Sequence, residues 1–141
     1  TGEFAVDERP VALTDIRAPI FAVGTETDHV APWRSVFKIH LLANADVTFV
    51  LTSGGHNAGI VSEPGHAGRH YRLRSKSHND RYTDPERWLE ETPIKAGSWW
   101  REWTRWLGDR SGEFTSAPGI GAAAKGYSPL ADAPGEYVLG D

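Results

Sequence analysis

Cysteine is absent from all 141 residues. Its absence excludes a disulfide framework, a thiolate metal site and a cysteine nucleophile within this chain. Methionine is absent as well. No apolar run reaches the roughly 18 residues of a membrane-crossing helix, so no membrane span is expected. No signal peptide is visible. There is no basic run, and a net charge of −4 leaves no electrostatic footprint for nucleic acid or an anionic membrane surface. Nor is there an internal repeat. The first residue is Thr1 rather than Met, which reads as a piece of a longer protein or a trimmed chain.

What is present begins with a modest core. Hydrophobic residues make up 39% of the chain, and the length suits one domain or part of one. The most informative stretch is Pro19–Gly59. Pro19–Gly24 predicts a strand through Ile20, Phe21 and Val23. Val47–Thr52 (VTFVLT) is a β-branched run suited to a strand buried on both faces. Between them Pro32–Ala43 predicts a helix, with Pro32 in its first turn and Val36, Phe37, Ile39, His40, Leu41 and Leu42 as an apolar stripe. Strand, helix and strand close best as a right-handed crossover with parallel strands.

Parallel strands end at one edge of the sheet, where α/β proteins place their sites. The loop after the first strand carries Asp28 and His29, and the loop after the second carries His56. Asp28 and His56 can therefore meet. A carboxylate beside an imidazole fixes its tautomer and stabilises the imidazolium. Singly, Asp28 reads as a turn residue and His56 as a loop histidine supported by Gly54 and Gly55. Jointly, at the ends of neighbouring parallel strands, they read as catalytic, and Gly54 and Gly55 let the backbone turn sharply beneath the ring. The order Asp then His is also that of the last two triad members in α/β-hydrolases.

The remaining chain is quieter. Residues 1–18 read as an incoming connection with Val6, Val11 and Leu13 as scattered anchors. Asn57–Gly68 is either a surface loop or the wall of a pocket behind His56. His70–Arg74 reads as a short edge strand. Pro85–Glu91 reads as a short helix capped by Asp84. Gly97–Asp109 predicts a helix with Ser98 as its cap and Trp99, Trp103, Trp106 and Leu107 on one core-facing side; an exposed aromatic strip for sugar or polymer is the alternative. Residues 111–141 form an irregular tail that Tyr127, Leu130, Tyr137 and Val138 could pin down.

Other candidates carry less. Trp33 either walls a substrate channel or packs over the helix start, and His29 either lines the pocket or is an exposed neighbour. His66, His70 and His78 lack a shared helix face, since Gly65 and Gly68 break it, so no metal site is expected. Ser53 lacks the G-x-S-x-G frame of a nucleophile elbow, and SGG is no phosphate-binding loop. An Asp–His pair alone is a base with nothing covalent to activate.

Four blocks of sequence, GTETDHVAPWRSV, FVLTSGGHNAGIVSEPG, GSWWREWTRWL and APGEYV, together resemble the carboxyl-terminal part of poly(3-hydroxyalkanoate) polymerases, also called PHA synthases. The likeness runs from about Asp15 to Tyr137. It implies the carboxyl-terminal portion of an α/β-hydrolase fold, spanning residues 19–110. It also implies an acyltransferase that moves 3-hydroxyacyl groups from coenzyme A onto a growing polyester with a Cys–His–Asp set. His56 would then be the general base and Asp28 the triad carboxylate. The cysteine would lie on an elbow upstream of this stretch, so the stretch alone should be inactive. The resemblance further implies no cofactor, a 3-hydroxyacyl-CoA substrate and a polyester product, a homodimer of the full-length enzyme, and a cytoplasmic setting at polyhydroxyalkanoate granules. Two other readings stand beside it: another α/β-hydrolase, an esterase or thioesterase, and a non-catalytic chain that binds a synthase or a polymer granule.

Overall fold

The computed structural model describes residues 4–140. Two short antiparallel strands come first, β1 (Ala5–Val6) and β2 (Arg9–Pro10). Asp7 and Glu8 join them with φ of 47° and 63°, the left-handed pair that a two-residue hairpin turn needs. Val6, Val11 and Leu13 are exposed rather than anchoring, because a hairpin this short offers no face to bury against.

The main sheet starts with β3 (Ile20–Thr25) and β4 (Val47–Thr52), which are parallel and in register from Ile20–Val47 to Thr25–Thr52. The expected single helix between them is two pieces, α1 (Trp33–Phe37) and α2 (Ile39–Leu42). Lys38 joins them, donating to Ser35 and accepting from Leu41 in tight three-residue steps. Pro32 precedes the first helical residue as its cap. The inward residues are Trp33, Phe37 and His40, spaced by four and three. Leu41 and Leu42 lie one and two positions farther round and are exposed, so the stripe is narrower than expected.

Beyond β4 the sheet turns antiparallel. β5 (His70–Lys76) pairs with β4, and β6 (Ile94–Ala96) pairs with β5, giving the order β3-β4-β5-β6. β5 is therefore an inner strand, not the edge strand expected, because the unforeseen β6 takes its far side. Between β5 and β6 lies α3 (Pro85–Glu91), with Asp84 Oδ1 accepting the Arg87 N–H at 3.0 Å. α4 (Trp100–Gly108) follows β6. Ser98 accepts the Trp100 N–H at 3.1 Å, although Trp99 occupies the cap position.

β4 is buried along its whole length and divides the core into two layers by the alternation of its side chains. Phe49 and Leu51 meet Trp33, Phe37 and Trp88 on one side. Val50 meets Tyr71 and Trp99 on the other. The first cluster is mostly aromatic, with Phe37–Phe49 and Phe49–Trp88 packed edge to face at 5.0 and 5.2 Å. On the second side Phe21 contacts Trp99 and Trp106 at 6.2 and 5.6 Å. Trp103 and Leu107 are exposed, contrary to the expected shared face. Glu102 is the residue that faces inward with Trp99 and Trp106; it accepts from Tyr71 Oη at 3.0 Å and Lys95 at 3.2 Å, and these ties set the rotation of α4.

The chain divides into two units, Thr1–Ser111 and Gly112–Asp141. The second holds two 3-10 turns, Ala123–Lys125 and Tyr137–Leu139, and an isolated bridge between Ala122 and Tyr127. Tyr127, Leu130, Tyr137 and Val138 are exposed. Among the described residues no helix is long and apolar enough to cross a membrane.

Candidate active site

The parallel ladder does not stop where β3 and β4 end. The Glu26 N–H donates to Thr52 O at 2.9 Å, and the Thr27 N–H to Gly54 O at 3.1 Å. These bonds stitch the two loops together past the last strand residues. Asp28 and His56 emerge from this stitched pair, and His56 Nδ1 lies 2.9 Å from Asp28 Oδ2.

Asp28 is fully engaged. Its Oδ1 accepts the Val30 and Ala31 N–H groups at 2.8 and 2.9 Å, a local side-chain-to-backbone turn that suits Asp. Its side chain is only 7% exposed. The Ala31 N–H bond, then the bond to His56, hold the carboxyl down at about 2. The group is thus ionised and can only accept, so His56 Nδ1 carries the proton. In the neutral ring the other nitrogen, Nε2, then carries the lone pair. The His56 side chain is 49% exposed, so a reacting group can reach that nitrogen. An imidazole tethered at Nδ1 and open at Nε2 is equipped to take a proton.

The loop below the ring depends on two glycines. Gly54 has φ of 105°, and a Cβ there would lie 2.7 Å from an Arg69 guanidinium nitrogen and 2.9 Å from the Gly59 nitrogen. Gly59 packs on Thr25 so closely that a Cβ would come within 2.5 Å of its methyl group. After His56 the chain coils once, with the Gly59 N–H donating to Gly55 O at 2.9 Å and the Val61 N–H to Asn57 O at 2.9 Å.

Indole groups brace that coil from outside. Trp99 Nε1 donates to Gly59 O at 3.1 Å, Trp100 Nε1 to Ile60 O at 2.9 Å, and Ser98 Oγ to Ser62 O. The segment behind His56 is thus tied at three successive points to the start of α4. The sequence places Trp99 on a packed face and gives no sign of either indole as a donor. A bond between residues 40 positions apart leaves no local signal.

A second acid–histidine contact sits at the same edge. His70 Nε2 lies 3.2 Å from both Glu26 carboxylate oxygens. Ser53 and His70 exchange two bonds: the Ser53 N–H donates to His70 O at 2.9 Å, and the His70 N–H to Ser53 Oγ at 3.1 Å. Ser53 is buried. The remaining sequence candidates fall elsewhere. His29 is exposed, and Trp33 is buried in the aromatic cluster. His66 pairs with Glu63 and His78 with Asp46, at 3.0 Å each. The three histidines weighed as metal ligands thus face three different carboxylates, and among the described residues no group of three such side chains is arranged to hold a metal ion.

No protein-family model matches the chain. Individual relatives do. Poly(3-hydroxyalkanoate) polymerase 2 of Ectopseudomonas oleovorans is 35% identical over 130 residues, which is 92% of this chain and 22% of that protein. The poly(3-hydroxyalkanoate) polymerase subunit PhaC of Cupriavidus necator is 33% identical over 138 residues, 97% of this chain and 22% of its own length. The poly(3-hydroxyalkanoate) polymerase of Methylorubrum extorquens is 32% identical over 139 residues, with the same coverage. The chain spans about a fifth of the length of the curated relatives it matches. It is homologous to one segment of poly(3-hydroxyalkanoate) polymerases.

Proposed function

We propose that the chain is the carboxyl-terminal catalytic portion of a polyester synthase, and that Asp28 and His56 are two members of its Cys–His–Asp triad. The substrate class is a 3-hydroxyacyl-CoA, and the product is a lengthening polyhydroxyalkanoate. The 2.9 Å bond between His56 Nδ1 and Asp28 Oδ2, at the end of two parallel strands, carries this reading. Homology to a segment of poly(3-hydroxyalkanoate) polymerases supports it. On this reading residues 19–110 belong to an α/β-hydrolase fold, 1–18 lead into it, and 111–141 trail it.

The mechanism follows from the ring's two nitrogens. Nε2 takes the proton of a thiol supplied by another part of the enzyme, since these 141 residues hold no cysteine. The thiolate attacks the thioester carbonyl of the acyl-CoA, the carbon–sulfur bond to coenzyme A breaks, and the coenzyme A thiolate leaves with a proton from the imidazolium. His56 then deprotonates a hydroxyl, whose oxygen attacks the enzyme thioester; the new ester bond forms as the carbon–sulfur bond to the enzyme breaks, and the departing enzyme thiolate takes the proton back from the imidazolium. Asp28, ionised throughout, stabilises the imidazolium at both stages.

Coenzyme A release from 3-hydroxybutyryl-CoA tests this. The purified 141-residue chain should release none, and the full-length protein should release it steadily. His56→Ala or Asp28→Asn in the full-length protein should lower turnover by orders of magnitude. Near-normal turnover in either variant removes that residue from the mechanism. Thiol release by the isolated chain overturns the need for an outside nucleophile.

A further inference from the structure

A cavity opens at the other end of the same strands. Val47, the first residue of β4, pairs with Lys76, the last of β5. His56 follows the opposite end of β4, so the two places lie roughly 17 Å or more apart along a six-residue strand. The cavity has a volume of about 400 Å³, within the range of small-molecule sites. Its floor includes Phe37 and Trp88, and its walls include His40, Arg74, Lys76 and Arg81.

The charge around it is lopsided. Arg74, Lys76 and Arg81 face one carboxylate in the lining, Asp80. Asp80 Oδ2 accepts the Ser77 N–H at 2.9 Å, and its single negative charge leaves the lining with a net positive balance. Arg74 shares Glu91 with Arg87, at 2.9 and 2.6 Å. Among the described residues neither Lys76 nor Arg81 is ion-paired. Two polar groups of the lining are also unsatisfied. Both His40 ring nitrogens and Trp88 Nε1 are buried without a hydrogen-bond partner among the described residues. Buried polar groups are seldom left so, and each such group calls for an explanation. A lining with more cations than carboxylates, over an aromatic floor, suits a ligand with an oxyanion at one end and a flat apolar body at the other.

We propose that this cavity is a binding site for a small organic oxyanion, separate from the Asp28–His56 edge. Arg81 presents a planar fork to a carboxylate or phosphate, and Lys76 a point charge. The apolar body lies over Phe37 and Trp88. Nothing in this proposal depends on the catalytic reading, so each can fail without the other.

NMR titration of the 141-residue chain tests it, following the His40 ring protons and the Trp88 indole N–H. The probes are phenyl phosphate, benzoate, inorganic phosphate and benzylamine. Saturable shifts with phenyl phosphate or benzoate are expected, weaker ones with inorganic phosphate, and none with the cation benzylamine. The first two probes distinguish a phosphate from a carboxylate ligand. Lys76→Ala and Arg81→Ala, which remove partly or fully exposed side chains, should each weaken binding about tenfold while the remaining spectrum is retained. The proposal is overturned if no oxyanion shifts those signals, if benzylamine binds equally well, or if both variants bind like the parent chain.

Discussion

His40 on α2 and His56 in the loop after β4 stand towards opposite ends of that strand, and the two are built on opposite plans. His56 stands in a glycine-supported loop, half in solvent, with an ionised carboxylate 2.9 Å from one nitrogen. His40 is 8% exposed and packs 4.4 Å from the Phe37 ring and 5.8 Å from Phe49. It has no hydrogen-bond partner among the described residues. Burial first, and the Lys76 charge second, pull its pKa down to about 4. One imidazole is therefore oriented and open for proton transfer. The other is held neutral inside the aromatic layer. Residue type alone says little about a histidine; the group beside it and the solvent around it set what it can do.

The most damaging change to that contrast is the loss of turnover expected for His56→Ala, on the order of 10⁶-fold by analogy with a base-removed triad. The corresponding removal of His40 should leave turnover within a few-fold, which a single steady-state assay compares. Gly59→Ala comes next. Its methyl group would press on Thr25 and on Ser53 O, 3.0 Å away. A loss of about 2–3 kcal/mol is expected from such overpacking, read as a lower urea midpoint. An unchanged midpoint would show that the loop under His56 yields freely.

pH sharpens the comparison from the other side. His40 has a folded pKa of about 4 against an unfolded value near 6.5. Between those values the unfolded chain binds more protons, so stability falls as pH drops from 6.5 towards 4. After allowance for solvent screening the loss is on the order of 1–2 kcal/mol. His40→Leu should remove that part of the slope in urea titrations at pH 7 and pH 5; an equal slope in both proteins would assign it elsewhere. Asp28 acts at a lower window. Its stabilisation is complete above about 3.8 and is lost as pH falls through about 2. The smallest effect is expected from Trp99→Phe. It keeps the ring in the core but removes the N–H bonded to Gly59 O, at a cost of about 1 kcal/mol. Turnover of the full-length protein should fall several-fold with KM unchanged, because the substitution loosens the support of His56 rather than the substrate site. A change in KM alone would contradict that.

Much of the carboxyl edge was legible because it depends on local pattern. VTFVLT is a short β-branched run that suits a strand buried on both faces, and a strand–helix–strand order closes best with parallel pairing. From these the meeting of Asp28 and His56 follows before any coordinate is known. The amino-terminal edge was not legible. In sequence His40 reads as one member of an apolar stripe, and nothing near it announces Lys76 or Arg81, which β5 and the loop after it bring round. β6 is three residues of Ile-Lys-Ala, too short for a periodic signal, so from sequence β5 reads as an edge strand.

The sequence by itself determined which chemistry this stretch can hold: an acid and an imidazole on consecutive strand ends, and no thiol. Strand alternation and turn composition are short-range properties, and they suffice for that. The tertiary structure alone decided how the site is held and what surrounds it. The indole braces on the His56 loop, the rotation of α4 about Glu102, and the cationic cavity at the far end all join residues tens of positions apart. Such contacts arise when layers pack, and their partners are chosen by distance in space rather than along the chain.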